Sequence, residues 1–415
     1  MDTTNNINIK IIPDKKFKTA TICLMLRRPL NRDEATKNAL LANVLGAGTL
    51  NYPSLYEINK HMEELYGAIF QSLIIKKAEF QIIRLYIEFA SIMDDSLLTQ
   101  SIQFLKEVLF NPLIINGAFS HEIFNNQKDM LRDSISERIN DKNSYVRLKC
   151  IESMCKDEPF GIHADGYIED LHAIDEKILY EHYKQIINST PIEFIASGNI
   201  DSDKFCTLVN ENFPSMAPFN LDIPQLPTQN HTGEATLLEE VLKVNQSKIC
   251  MGLRSSYGYK GKDFYNFLVF NEILGGSGNS KLFMNLREKA SLCYNIFSFL
   301  YRAKSILMIQ SGVETKNIDI TIQKINEQLE SIKDGQVSED ELHLAKQGLI
   351  SGFKSMTDSQ GQILDFNYTQ HMLSDSDSIS DIIRGIENVV IADVVSLSNT
   401  LYTDTIYVLK GEKDE

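Results

Sequence analysis

Residues 274–294 read L-G-G-S-G-N-S-K-L-F-M-N-L-R-E-K-A-S-L-C-Y. The glycine-rich opening, Gly275-Gly276-Ser277-Gly278, ends the helix expected over Asp263–Leu274, and a second helix begins near Lys281. From Leu292 the pattern becomes that of a strand, Leu292–Tyr301, followed by another, Ser305–Val313. Upstream, one strand is expected across Leu237–Arg254. Downstream, Thr315–Lys333 reads as a helix, and Ser338-x-x-Glu341 is a capping box that opens the next.

The same order is written once before. A strand (Thr19–Arg27) leads to helices at Asp33–Leu45 and Ser54–Tyr66, with Pro53 at the start of the second and Gly67 just past its end. Alternating runs at Ala68–Lys76 and Glu79–Phe89 read as paired strands, and helices follow at Asp94–Phe110 and Ser120–Asn140. An apolar run at 192–199 is a buried strand, and Ser202–Phe213 is an amphipathic helix. Strand–helix–helix–strand–strand–helix–helix thus recurs after about 220 residues, which implies two homologous α+β halves. The Pro-rich stretch from Pro214, with Pro218, Pro224, Pro227 and Gly233, separates them. The expected domains are 1–220 and 237–415, joined by a linker at 221–236.

A chain of 415 residues, 43% hydrophobic and 23% charged, has ample core for a soluble globular protein. Its formal charge of −15 argues against nucleic acid or an anionic membrane as partner. The six cysteines are scattered without a C-x-x-C pair, and the N-terminus has no basic region followed by an apolar run. Both point to reduced thiols and a cytoplasmic location.

The 274–294 stretch resembles the C-terminal R-E-K…Y signature of the pitrilysin/mitochondrial-processing-peptidase family, the inverzincin metallopeptidases. Within that family the chain is similar to the bacterial half-length type. The resemblance implies a half clam-shell: two α+β halves, each a mostly antiparallel sheet flanked by helices. In the family, H-x-x-E-H on the first long helix places two His at i and i+4 on one face to share Zn²⁺, with the Glu as general base. Aligning Gly48-Thr49 with the family's G-T puts Ala39, Leu40, Leu41, Ala42 and Asn43 at those five positions. None of the five supplies a metal-binding or basic side chain beyond the poor ligand Asn43. No His precedes His61, and none of the eight His has a partner at i+3 or i+4. A third ligand is expected near Arg132 or Asp133.

The resemblance implies that Arg287 and Tyr294 position substrate and stabilise an oxyanion. By their own patterns, Arg287 reads as a helix-surface residue paired with a nearby Glu, and Tyr294 as a half-core strand residue. Gly275, Gly276, Ser277 and Gly278 read either as a substrate-binding loop facing a cavity or as an ordinary helix–helix turn. They lack the Lys-Ser/Thr of a phosphate loop.

Three functions remain open. The first is the non-zinc subunit of a heterodimeric peptidase, binding peptide in a chamber by strand addition and lending Arg287 and Tyr294 to a partner that carries H-x-x-E-H and zinc. The second is a catalytically inactive homodimeric pseudo-peptidase that binds peptides or organises a complex. The third is an enzyme of unrelated chemistry in the same chamber. No cofactor is expected on this chain.

Overall fold

The computed structural model describes residues 7–94, 96–214 and 235–411. In chain order the first half carries β1 (Asn8–Pro13), β2 (Ala20–Pro29), α1 (Arg32–Leu45), α2 (Leu55–Glu64), β3 (Ile69–Lys77), β4 (Phe80–Phe89) and α3 (Leu97–Phe110). The two-residue strands β5 (Ile114–Ile115) and β6 (Ala118–Phe119) follow, then α4 (His121–Ser136), α5 (Lys142–Met154), α6 (Ile168–Leu171), α7 (Glu176–Ser189), β7 (Ile192–Gly198) and α8 (Ser202–Asn212). The second half carries β8 (Thr236–Leu242), β9 (Ser247–Arg254), α9 (Gly261–Asn271), β10 (Cys293–Tyr301), β11 (Ile306–Val313), α10 (Ile318–Lys333) and α11 (Glu339–Met356). It closes with α12 (Gln360–Met372), α13 (Ile379–Asn388), α14 (Ile391–Ser398) and β12 (Tyr402–Gly411). No helix of the described residues is long and apolar enough to cross a membrane.

Two five-stranded sheets organise these elements, in the orders β1-β7-β2-β4-β3 and β8-β12-β9-β11-β10. The outermost pairs β1/β7 and β8/β12 are parallel, and the other neighbours are antiparallel. Strand for strand, the second sheet repeats the first. The structure is therefore the duplicated, mostly antiparallel α+β architecture that the recurring pattern implied. Central strands are buried along nearly their whole length, as in β2 (A-T-I-C-L-M-L-R-R-P) and β9, because helices and neighbouring strands leave them no wet face.

The single strand expected over Leu237–Arg254 is two. Lys243–Gln246 interrupts it, and β8 and β9 are not neighbours, because β12 lies between them. Short-range pattern carries no information about a strand that arrives from more than 150 residues away in the chain.

The chain divides into two compact units, one drawn from Met1–Glu137, Ile162–Ile223 and Ser359–Thr369, the other from Arg138–Gly161, Pro224–Asp358 and Gln370–Glu415. The expected domains were contiguous in sequence. Instead, each half of the sequence lends a helix to the other unit. Residues 221–234 of the expected linker lie outside the described residues.

In the second unit, Val146, Cys150, Ile151 and Met154 of α5 pack with Cys250, Ile306, Met308 and Leu409, and Gln310 Nε2 donates to the Asn143 carbonyl at 2.6 Å. In the first, Gln360 of α12 takes a bond from Thr19 Oγ1 (2.9 Å) and donates to the Ser197 carbonyl (2.6 Å). Tyr368 donates to Glu193 Oε2 at 2.8 Å, while Arg27 holds Oε1 at 2.6 Å. That buried carboxylate has a partner on each oxygen, which its desolvation requires.

Candidate functional site

Helix α1 begins at an Asn31 cap, whose side chain accepts from the Asp33 amide at 2.7 Å, and runs through the five positions where a zinc motif would lie. Ala39, Leu40, Leu41 and Ala42 are at most 3% exposed and belong to the first unit's core, with Ile22, Leu24, Phe104 and Phe194. Asn43 is half-buried. One residue upstream, Asn38 donates to Gln81 Oε1 at 2.8 Å and its carbonyl oxygen lies 2.7 Å from His182 Nε2, a buried network tying α1 to β4 and α7. His182 is thus a satisfied core histidine.

On α4, Asp133 is 68% exposed in its side chain and faces Arg132 at 3.6 Å. Alanine methyls offer no lone pair, and this face of α1 is packed rather than open. These residues do not fit a zinc ion. Among the described residues, no three or more His, Cys, Asp or Glu gather in an arrangement that could hold a metal.

The second half is built differently. After α9 the helix widens into a π-helical turn, Glu272–Gly276, and a second π-helical segment spans Phe283–Lys289. Such widened turns recur at functional sites. Arg287 lies in the second segment. Its guanidinium rests 4.6 Å from the Phe283 ring centroid, and its Nε is 3.8 Å from Glu288 Oε1. The expected surface pair with a Glu exists, but a half-exposed contact of this length is worth less than about 1 kcal/mol. It leaves most of the cation's hydrogen-bonding capacity for something else.

The chain then turns through Ser291, at φ 50°, into β10. There Cys293 pairs with Val313 and Asn295 with Gly312, so Tyr294 is the extra residue of a β-bulge. Bulges re-aim side chains, and Tyr294 is 62% exposed rather than half in the core. Opposite the bulge lies Gly312, where a Cβ would stand 2.7 Å from Asn295 Oδ1 and from Gln246 Oε1, so a larger residue would displace those side chains.

Arg287 and Tyr294 line one open cavity of about 430 Å³, with Glu288, Ser291, Cys293, Glu314 and Asn317 among its walls. Burial pushes the Cys293 thiol up, against opposing pulls from Ser311 and the Arg287 charge, so it is a poor nucleophile. Glu314 is held by Lys316 at 2.7 Å. A guanidinium and a phenol O–H facing the same space can hold a carbonyl oxygen as negative charge develops on it.

The glycine run is a loop only in part. Gly275 and Gly276 belong to the first π-helical turn, and Ser277–Asn279 form the turn that follows. Gly275 lies against β10, where a Cβ would meet Ser298 Oγ at 2.7 Å. Sequence reading missed Ser291, Glu314 and Asn317, which carry no motif and reach the cavity only through the fold. It also missed the Asn38–Gln81–His182 network, whose members lie far apart in the chain.

A family model described as "Peptidase M16 inactive domain" matches residues 173–349. A Bacillus subtilis (strain 168) protein named "Probable inactive metalloprotease YmfF" is 31% identical over 408 residues, covering 97% of this chain and 95% of that protein. The chain belongs to the M16 peptidase family.

Two solved structures share this M16 fold. A conserved protein from Enterococcus faecalis V583 matches with a TM-score of 0.91 at 24% identity, covering 100% of this chain and 99% of that one. A peptidase M16 inactive domain from Pseudomonas fluorescens matches at 0.79 and 15% identity, covering 100% and 98%. At these identities the likeness is one of fold. The M16 assignment agrees with the R-E-K…Y signature, and the name of the 31%-identical relative, "Probable inactive metalloprotease", agrees with an α1 that carries no histidine.

Proposed function

We propose that this chain is the zinc-free subunit of a two-chain peptidase: it holds peptide in a chamber and presents Arg287 and Tyr294 to a site whose H-x-x-E-H motif sits on a homologous partner. The observation that carries this reading is the contrast between two sets of positions. Ala39 and Ala42 are packed into the core where a histidine and a glutamate would be needed, while Arg287 and Tyr294 are turned outward into one cavity by a π-helical segment and a bulge.

In this reading the partner supplies the metal and the activated water. Arg287 and Tyr294 supply donors preorganised toward the oxyanion. Alone, the chain cleaves no peptide by a metal-water mechanism. We place the complex in the cytoplasm, which suits six free thiols.

A second reading, a catalytically inactive homodimer that binds peptide or organises a complex, is favoured by the name of the 31%-identical relative, "Probable inactive metalloprotease". Purification of the tagged chain from its source cells separates the two. The first reading requires one equivalent of an H-x-x-E-H chain in the eluate. Recovery of the chain only with itself gives the second.

A further inference from the structure

The internal duplication exposes a difference between the two units. In the first, helix α8 follows the last strand β7 and packs on both α3 and β1. Its Phe205 and Val209 are fully buried, and Leu208 joins the same core, as do Ile9 and Ile11 of β1. Under that cover, α3 buries residues around most of its circumference, Leu97, Leu98, Ile102, Phe104 and Leu105 among them.

In the second unit β12 matches β7, β8 matches β1 and α10 matches α3. Strand β12 runs to Gly411, the last described residue. Helix α10 buries only the stripe Ile318, Thr321, Ile325, Leu329 and Ile332. On the matching face of the second unit, between α10 and the edge strand β8, there is a groove of about 730 Å³.

The floor of this groove is apolar, formed by Leu237, Ile322 and Ile406. Leu237 and Val241, both directed outward from β8, are 55% and 59% exposed. The wall is acidic. Asp319, Glu327, Glu330 and Asp334 line it, and no basic residue does. Glu327 and Glu330 are paired along their own helix with Lys324 (2.6 Å) and Lys333 (2.7 Å). Asp319 and Asp334 have no ion-pair partner among the described residues.

We propose that this groove docks an amphipathic helix of a partner protein, about three turns long, with an apolar i, i+3, i+4 stripe and a lysine- or arginine-rich flank. The apolar stripe would bury Leu237, Ile322 and Ile406 as Phe205, Leu208 and Val209 bury their counterparts in the first unit. The basic flank would meet Asp319 and Asp334. This surface belongs to the second unit alone and does not depend on Arg287 or Tyr294.

Two fluorescent peptides built on residues 201–213 test it against the full chain by anisotropy. Both keep Phe205, Leu208 and Val209. One carries Lys at its outward positions, the other Glu. The Lys peptide should bind saturably and gain helical circular dichroism. It should weaken with added salt and bind at least ~10-fold more tightly than the Glu peptide.

Leu237→Asp should abolish this binding, the double change Asp319→Lys with Asp334→Lys should weaken it ~10-fold, and Arg287→Ala should leave it unchanged. Any of four results would overturn the proposal: no saturable binding, equal binding of the two peptides, binding in an extended conformation, or binding indifferent to Leu237→Asp. So would self-association of the chain that Leu237→Asp removes, since the groove would then belong to a second copy.

Discussion

His182 sits in the first unit's core with its Nε2 2.7 Å from Asn38 Oδ1, and burial pulls its pKa down to about 4. The nearby Glu34 opposes that pull, while Lys37 and Arg28 reinforce it. An unfolded chain takes up this proton near pH 6.5; the folded one resists it until about 4. Stability from this group is therefore complete above pH 6.5 and lost as pH falls toward 4, by about 3 kcal/mol. Urea midpoints across that window should drop, and His182→Gln should flatten the drop.

Glu272 runs the other way. Burial raises its carboxyl pKa, so its contribution is present below about pH 4.5 and lost as pH rises. Glu272→Gln should raise the urea midpoint at pH 7.5 and leave it unchanged at pH 4. Neither behaviour was legible in the sequence, where both residues looked ordinary. Their environments are assembled from segments far apart in the chain. Arg287 and Tyr294 were legible because the R-E-K…Y spacing is local.

Short elements decide how those two residues are presented. The helix after Lys281 and the strand after Leu292 were both readable from periodicity, but not the widening of the first into a π-helix or the bulge that releases Tyr294 from the ladder. The π-helical segment packs on β10 and α10, and the bulge lies opposite Gly312 of β11. The first π-helical turn rests on β10 through Gly275, where an added Cβ would stand 2.8 Å from the Ser298 backbone nitrogen. Gly275→Ala should cost about 1–3 kcal/mol in denaturant unfolding. Gly278→Ala, with nothing within 4 Å of its Cβ, should change stability by less than about 0.5 kcal/mol. Equal effects at the two glycines would mean that the turn does not bear on β10 as described.

At the scale of the molecule, the duplication was visible as a repeated order of elements, and the paired sheets bear it out strand for strand. The reciprocal lending of α5 and α12 was not visible, because the unit a helix joins is decided by contacts with strands far away in the chain, such as Gln310 with Asn143 and Gln360 with Ser197. The duplication also organises the functional reading. One half packs Ala39 and Ala42 of α1 into its core, and the other keeps a cavity lined by an outward arginine and tyrosine. On the proposed reading, this chain is half of a catalytic apparatus, and activity belongs to the pair.

Peptide hydrolysis should therefore be titrated. A fixed amount of the H-x-x-E-H partner is mixed with increasing amounts of this chain, as wild type, Arg287→Ala or Tyr294→Phe. The expected result is no turnover by this chain alone, a rate that saturates at one chain per partner, and a fall in kcat of about 100-fold for Arg287→Ala with assembly unchanged. Full activity of the partner without this chain, or an Arg287→Ala complex as fast as wild type, would contradict it.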